Sequence, residues 1–231
     1  MLMLDERTEA MFQQEAAWIA EFMYVAKSQG MFPLLNVGSS TEDFRVRVQP
    51  WIDAQIFAPA RKAGLKVIHM DIKEAPGVDV VGDLTDPAFC AKLAALNIQS
   101  ALCSNLLEHV TRKEQICLAI EKAIRPGGHI IVTCPYQYPY HGDPIDTLFR
   151  PTPVELATLF PNSTVLRSSI LDCGNYAQSL LASPKAALWN MARLCLPFYK
   201  TEYWRELLGF HCWLFRTFQV SCVVLKKHLG D

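Results

Sequence analysis

Small, acidic and amide residues follow four short apolar segments of the chain, and these residue types could bind a polar ligand. The four sets are Asn36 to Ser40, Asp71, Asp83, and Ser104 with Asn105. Gly38 allows a tight turn in which backbone N–H groups approach a ligand, and the two oxygens of Asp71 could accept from both hydroxyls of a ribose. A single acid at a strand end is usually a cap or turn residue, but four sets in succession predict one binding site.

A second group of polar side chains lies in the segment 136–150, after a fifth apolar run. It contains His141, Asp143, Asp146 and Arg150. His141 is the candidate general base, because an unperturbed imidazole titrates near neutrality, and Asp146 is the second catalytic candidate. In the alternative interpretation, His141, Asp146 and Arg150 form a hydrogen-bonded lock that fixes the loop before a helix begins near Thr152. The residue types fit both interpretations.

Short apolar runs alternate with helical stretches along the chain, a pattern typical of βαβ units and a parallel sheet. The runs that predict strands are 34–37, 66–70, 78–81, 98–103, 129–133, 165–171 and 218–225. Ligands of open α/β sheets bind beyond the carboxyl ends of the strands. We therefore expect an α/β fold in which the four sets of polar residues lie together.

Cap and turn residues mark several predicted helix ends. Asp86, followed by proline, fits an N-cap, and Gly64 fits the position just after a helix C-terminus. The segments Thr111–Glu114 and Thr152–Glu155 fit the capping box, in which a hydroxyl and a carboxylate satisfy each other's backbone N–H groups. A leading helix with a thick apolar face is predicted over 9–28.

The composition indicates a globular chain with no general attraction to nucleic acid. Of 231 residues, 51% are apolar and 19% are charged, and the formal net charge is −1. The apolar content argues against disorder, and the charge balance argues against electrostatic binding of nucleic acid. The N-terminus lacks the basic region of a signal peptide, and Arg216 interrupts the most apolar segment, 207–225. We therefore expect a soluble, cytoplasmic protein.

The eight cysteines predict no metal site. No two of them form a Cys-x-x-Cys pair, and none lies at zinc-like spacing from a histidine. Most lie in apolar stretches, where free cysteine behaves as a small hydrophobic residue. We expect reduced thiols, as is usual outside oxidising compartments.

Five segments together resemble the class I S-adenosylmethionine-dependent methyltransferases. They are LLNVGSS (34–40), VIHMDI (67–72), VVGDL (80–84), LCSNLLEHV (102–110) and IRPGGHIIVTCP (124–135). The segment YPYHGDPIDTLFRPTPVEL (138–156) is similar to bacterial small-molecule methyltransferases of sugar or polysaccharide pathways. The resemblance covers about 32–171 and implies a Rossmann-like, seven-stranded, mostly parallel sheet with an antiparallel last strand. Helices would cover both faces in a three-layer α/β/α arrangement, within a single domain over 1–231.

The resemblance also implies that the cofactor is S-adenosylmethionine and assigns its contacts. The contact residues are Asn36, Gly38, Ser39, Ser40, Asp71, Ile72, Asp83, Leu84, Asn105 and Leu106. Those after the first strand would line the methionine end, and Asp71 would bind the ribose hydroxyls, with Ile72 beside the adenine. Asp83 would accept from the adenine amino group, next to the Leu84 backbone. Asn105 and the following leucine would lie near the donor methyl.

The segment LLEHV also contributes Glu108 and His109, which we interpret as mainly structural because they begin the turn into the next helix. The expected activity is O-methylation of a sugar or related small metabolite.

The chain departs from the family pattern at three positions. An acid is usual where this chain has Asn36, and glycines are usual where it has Ser40 and Glu42. Asn36 lacks the charge that would favour the cofactor's ammonium, and Glu42 could repel its carboxylate. These changes motivate an alternative, a degenerate member that binds a ligand or partner without catalysis. A nicotinamide dehydrogenase is disfavoured, because it needs Gly-x-Gly-x-x-Gly and only Gly38 is present.

The segment 176–215 is rich in bulky aromatic side chains with interleaved basic residues. Its basic residues are Lys185, Arg193, Lys200 and Arg205. The first interpretation is an inserted helical cap over the site, with a small core of its own. The second is a contact with a membrane surface or a lipid-linked substrate through 184–215, because aromatic and cationic residues mix at such interfaces.

Overall fold

A seven-stranded sheet organises the chain, in the spatial order β3-β2-β1-β4-β5-β7-β6. The computed structural model describes residues 11–25, 29–141 and 145–229. The strands are β1 Leu34–Val37, β2 Val67–Asp71, β3 Val80–Val81, β4 Ile98–Ser104, β5 Ile124–Gln137, β6 Ser163–Asn175 and β7 Thr217–Lys227. The first five strands pair in parallel, whereas β7 runs antiparallel to both β5 and β6. The predicted Rossmann-like sheet with an antiparallel last strand is confirmed.

Helices cover both faces of this sheet. They are α1 Gln13–Val25, α2 Pro50–Ile52, α3 Ala58–Lys62, α4 Pro87–Ala94, α5 Lys113–Ala123, α6 Pro153–Thr158, α7 Tyr176–Ala182, α8 Pro184–Leu194 and α9 Thr201–Cys212. Two π-helical turns, Phe44–Val48 and Asp53–Phe57, lie beside α2. The sheet and the helices on its two faces form the predicted three-layer α/β/α arrangement.

Alternation along the buried strands separates two cores, one on each face. Leu35, Ala101 and Val132 pack on one face with α4, α5 and α6. Leu102 and Ile131, which alternate with them, pack on the other face with α1 and the region around α2. Because side chains alternate along a strand, a fully buried strand supplies both cores at once. The continuous apolar runs in the sequence reflect this double burial.

The sheet order reverses direction between β1 and β4. The chain moves outward from β1 through β2 to β3, and then returns across the sheet to β4 on the other side of β1. Such a reversal leaves a crevice at the carboxyl ends of the central strands. The residues that follow β1, β2, β3 and β4 therefore meet at one edge.

Most predicted helix ends are found, and one is wrong. Asp86 caps α4 through the Ala88 N–H, and Thr152 forms its capping box at α6. The box Thr111–Glu114 does not form, because α5 begins one residue later, with Arg112 at the N-cap. Its glutamate then occupies the second helical position, whereas a capping box needs the third.

Two predicted helices differ from the structure in extent. The segment leading to Gly64 is a series of short helices and π-helical turns, because Pro50 and Pro59 prevent one regular helix from forming. Gly64 itself follows α3 with φ +68°, as expected of a residue after a helix end. Of the leading helix predicted over 9–28, α1 occupies Gln13–Val25, residues 11 and 12 are not helical, and 9–10 and 26–28 lie outside the described residues.

The helices α7, α8 and α9 lie between β6 and β7 in the chain, within the predicted insertion 176–215. Tyr176 and Phe210 attach them to the core beside α1, where Phe210 packs edge-on against Tyr138. No helix in the described part of the chain is long and apolar enough to span a bilayer.

Candidate functional site

A cavity of about 660 Å³ lies at the carboxyl ends of β1, β2, β3 and β4. All ten residues that the sequence predicts for cofactor binding line it: Asn36, Gly38, Ser39, Ser40, Asp71, Ile72, Asp83, Leu84, Asn105 and Leu106. The volume lies within the range of small-molecule sites. The strand order thus brings four distant segments into one site, while the role of each residue in binding stays a prediction.

The loop after β1 approaches the far wall of the cavity closely. Gly38 has φ +67°, and a Cβ atom there would lie 3.1 Å from the Leu106 side chain. Only glycine adopts this conformation without strain and leaves the space open. The predicted turn at Gly38 is confirmed.

Asn36 pairs with a histidine that the sequence analysis did not single out. Its Nδ2 atom donates to Nδ1 of His69, 3.1 Å away on β2. Burial lowers the pKa of His69 to about 4, so the imidazole is neutral and its nitrogen accepts. A carboxylate at position 36 could not donate to this nitrogen. This explains why an amide side chain suits the position.

Arg45 fixes the backbone of the serine loop. Its Nη1 atom donates to the carbonyls of Ser39 and Ser40, each at 2.7 Å, and its Nη2 atom donates to the Gly77 carbonyl at 2.7 Å. The guanidinium is buried and lines the cavity. The sequence analysis missed Arg45, because it lies in an irregular stretch without a motif.

Ser40 adopts φ +53°, a conformation that is uncommon for residues other than glycine. Its N–H donates to Oδ2 of Asp71 at 2.9 Å, and Arg45 holds its carbonyl. These contacts stabilise the conformation that glycine usually provides at this position. Glu42 is exposed and is not among the described residues that line the cavity.

Asp71 stands at the end of β2 and orders two backbone segments. Besides Ser40, it accepts from the Lys73 N–H at 3.1 Å. Ile72, the next residue, lines the cavity with 63% of its surface exposed. An apolar side chain this exposed offers a surface for a flat, apolar group such as an adenine ring. A role of these two residues in binding a ribose and an adenine stays a prediction.

Asp83 and Leu84 follow β3 on the same side. The Thr85 N–H donates to Oδ1 of Asp83 at 2.8 Å, so this carboxylate also has the turn role that strand-terminal acids commonly have. Leu84 is buried in the cavity wall.

A buried carboxylate on α1 holds the opposite wall. Asn105, with φ +48°, donates through Nδ2 to both oxygens of Glu15, at 3.1 and 3.2 Å. The Thr133 hydroxyl donates to the same carboxylate at 2.5 Å. Desolvation raises the pKa of Glu15 to about 7. The Oδ1 atom of Asn105 is buried and has no hydrogen-bond partner among the described residues, so a polar ligand atom could occupy that position.

The two catalytic candidates lie apart from this wall. Neither His141 nor Asp146 is among the described residues that line the cavity. Asp146 accepts from Nη2 of Arg150 at 2.6 Å, from the His141 N–H at 3.1 Å and from the Leu148 N–H at 2.8 Å. Nδ1 of His141 lies 3.2 Å from the same carboxylate, and burial lowers the pKa of His141 to about 4.

This arrangement matches the loop lock of the alternative interpretation, and a catalytic role for His141 and Asp146 stays a prediction. Asp143, in the same loop, lies outside the described residues. The loop reaches the cavity through Ile145, whose carbonyl lies 2.6 Å from Nδ1 of His109.

Glu108 lies in the turn that follows β4, and its backbone contacts the loop after β5. Its carbonyl accepts from the N–H of Thr147 at 2.9 Å and from the hydroxyl at 3.0 Å, which ties the loop to the end of β4. Its carboxyl is buried, and desolvation raises its pKa to about 8. His109 differs, because it also lines the cavity.

Known structures resemble this chain in their fold. No protein-family model and no curated protein matches the chain. The structure superimposes on the cyclase SpnF with a TM-score of 0.53 and 16% identity, over 96% of this chain and 84% of that one. A Galdieria sulphuraria protein named as a sarcosine dimethylglycine methyltransferase gives 0.52 and 11%, over 93% and 86%.

Coclaurine N-methyltransferase, solved with N-methylheliamine and SAH, gives a TM-score of 0.50 and 16% identity, over 91% of this chain and 72% of that chain. At these identities the likeness concerns the fold and not the substrate. The sugar-type subgroup suggested by the sequence is not among these three neighbours. The chain therefore has the fold of the class I S-adenosylmethionine-dependent methyltransferases.

Proposed function

We propose that the cavity binds S-adenosylmethionine and that the protein methylates a small-molecule acceptor, at an oxygen of a sugar or of a related precursor. The proposal rests on one observation, the convergence of the ten predicted cofactor residues on a single cavity. A cytoplasmic location and a soluble or lipid-linked acceptor belong to the same proposal. Nucleic acid is not an expected partner, since the net charge is −1.

The residues of the cavity fit the groups of this cofactor. Asp71 and Ile72 would hold the ribose and the adenine, and the Gly38 turn leaves room beside Leu106 for the methionine end. Asn105 would offer its free Oδ1 atom near the reacting centre. When bound, the cofactor supplies an electrophilic methyl group on a sulfonium.

The chain's own contribution is to position the two reactants. Arg45 and Glu15 fix the two walls through buried hydrogen bonds, so the site needs little rearrangement on binding. Pre-organised orientation is a large source of rate acceleration in displacement reactions. A hydroxyl acceptor also benefits from a base, and His109 is the one histidine among the described residues that line the cavity.

Formation of S-adenosylhomocysteine from S-adenosylmethionine, measured over a panel of sugars, sugar nucleotides and phenols, tests the proposal. We expect turnover with a hydroxyl acceptor and its loss in Asp71→Ala. Turnover confined to amine or thiol acceptors would contradict the O-methylation.

The second candidate is a binding protein without catalysis. It is favoured by Asn36, whose pairing with the neutral His69 leaves no charge for the cofactor's ammonium. It is also favoured by the position of His141 away from the cavity lining described above. Cofactor binding without turnover on any acceptor of the panel would support this candidate and contradict methyl transfer.

A further inference from the structure

Three potential metal ligands meet beside the cavity, at the end of β4 and in the loop that follows β5. One ring nitrogen of His109, one of His141 and a carboxylate oxygen of Glu108 all lie within 4.8 Å of one another. Oε1 of Glu108 lies 3.8 Å from Nε2 of His109. Two imidazoles and a carboxylate are the donor set of several catalytic zinc and iron sites.

The second nitrogen of each imidazole is already oriented. Nδ1 of His109 faces the Ile145 carbonyl, and Nδ1 of His141 faces the carboxylate of Asp146 and, at 3.5 Å, the Pro139 carbonyl. These groups only accept, so a metal ion bound at Nε2 would leave each Nδ1 to donate its proton to them. Metal-binding histidines commonly donate their other N–H to a carboxylate or a backbone carbonyl in this way.

The carboxylate of Glu108 lies in an environment that a cation would complement. It is 1% exposed, and its described side-chain partners are His109 and the Cys134 thiol, 3.6 Å from Oε2. His109 is 15% exposed and lines the cavity, so an ion and its water ligands have a path to the site. A metal ion that binds here takes the place of the carboxyl proton, because metal ligands bind in their deprotonated form.

We propose that Glu108, His109 and His141 bind one divalent transition-metal ion, such as Zn²⁺, at the edge of the cavity. Three protein ligands leave coordination positions for water or for an oxygen of a second molecule in the cavity. The sequence analysis expected no metal on the spacing of the cysteines, and none of these three ligands is a cysteine. The site stands on its own geometry and does not depend on the proposed methyl transfer, in which a metal-bound His109 could not also act as the base.

Titration of the metal-free protein with Co²⁺, followed by its visible absorption, tests the site. We expect one ion per chain, and affinity lower by more than about 10-fold in both Glu108→Gln and His141→Ala. Glu108→Gln preserves the shape of the side chain and removes the carboxylate ligand, so it keeps the test decisive if His141→Ala does not fold. His228→Ala is the matched control, because that histidine contacts Thr164 at an exposed position. Absence of stoichiometric binding, or affinity unchanged in Glu108→Gln, would overturn the proposal.

An independent observation concerns the outer face of α8 and the loop that follows it, residues 184–200. Apolar side chains that are more than half exposed cluster here: Leu188, Trp189, Met191, Leu196, Phe198 and Tyr199. The polar Asn190 and Arg193 of α8 are buried. A helix whose outer face contacts water normally shows the opposite pattern.

Arg193 holds the loop in place through contacts with its backbone and its aromatic rings. It donates to the carbonyls of Leu196, Tyr199 and Lys200, and its guanidinium stacks over the rings of Tyr199 and Tyr203. The loop therefore presents Phe198, 96% exposed, as a fixed apolar tip. Large exposed apolar patches mark interaction surfaces.

We infer that this face binds the surface of an anionic lipid bilayer. Exposed Lys185, Lys200 and Arg205 accompany it, and the segment 176–215 contains four basic and two acidic residues in a chain of net charge −1. Aromatic and basic residues around an apolar face are typical of helices that lie in a membrane interface. Charge complementarity thus favours lipid over a second copy of the chain.

Co-sedimentation with phosphatidylcholine vesicles, with and without phosphatidylglycerol, tests this surface. We expect binding that requires the anionic lipid and falls by about tenfold or more in Phe198→Ser, because this substitution removes the most exposed apolar side chain of the surface. Val154→Ser on α6, also strongly exposed, is the control. No binding to anionic vesicles, or a dimer in solution that Phe198→Ser dissociates, would contradict the inference.

Discussion

At the scale of single residues, buried groups with displaced pKa values connect stability to the site. Glu15 and His69 lie behind opposite walls of the cavity and contact Asn105 and Asn36 respectively. Burial favours the neutral form of each, which raises the pKa of the carboxyl and lowers the pKa of the imidazole. Their effects on stability therefore have opposite dependences on pH.

Glu15 should make the protein less stable as the pH rises. Its pKa is about 7 in the folded protein against an ordinary value of 4.5, so the stabilisation is present below pH 4.5 and is lost as the pH rises through 7. Each pH unit in this window changes the free energy of unfolding by about 1.4 kcal/mol at most. We expect urea unfolding of the Glu15→Gln variant to lack this pH-dependent loss of stability. An identical pH profile for the wild type and the variant would show that Glu15 is ionised throughout.

His69 should have the reverse effect. The pKa of His69 is about 4 in the folded protein against an ordinary value of 6.5. Its contribution to the free energy of unfolding is therefore present above pH 6.5 and is lost as the pH falls through 4. His69→Asn removes the titration and keeps an acceptor for Asn36. Between pH 6.5 and 5 the variant should lose less stability than the wild type in urea unfolding. A ring proton titration by NMR with a pKa near 6.5 would contradict the prediction.

At the scale of elements, the loop between β5 and α6 depends on one carboxylate. The side chain of Asp146 is fully buried, with Arg150 beside it at 13% exposure. Asp146→Ala leaves the guanidinium without its partner, and we expect a loss of about 2–4 kcal/mol in the free energy of unfolding. Asp43→Ala, which breaks the exposed pair with Arg47, should change it by less than about 0.5 kcal/mol.

Equal effects of the two substitutions in chemical unfolding would contradict a structural role for Asp146. A large loss for Asp146→Ala alone would support the loop lock in preference to a purely catalytic role.

Elements were predictable where local chemistry determines them. Asp86 and Thr152 cap their helices because the cap contacts lie within three residues. The start of α5 was wrong by one residue, since Thr111 and Arg112 both allow a helix to begin and tertiary contacts decide. The π-helical turns around Pro50 have no comparable sequence signal.

At the scale of the whole molecule, the site was predictable because the topology has only one edge at which four strand ends can meet. The order of the strands brings Asn36, Asp71, Asp83 and Asn105 together across 69 residues of sequence. Glu15 could not be predicted, because its partners Asn105 and Thr133 are 90 and 118 residues away. An acid within an apolar helix face gives no indication of such contacts.

The central claim, that this cavity is a cofactor site, is tested most directly by calorimetric titration with S-adenosylhomocysteine. We predict one site per chain, with affinity lower by more than about tenfold in Asp71→Ala, because a hydrogen bond to a charged group contributes roughly 1.5–3 kcal/mol. Asp172→Ala is the control, since that carboxylate lies on β6 and contacts Gln219 on β7, at the other edge of the sheet. Absence of binding to the folded wild type, or equal affinity in Asp71→Ala, would contradict the account.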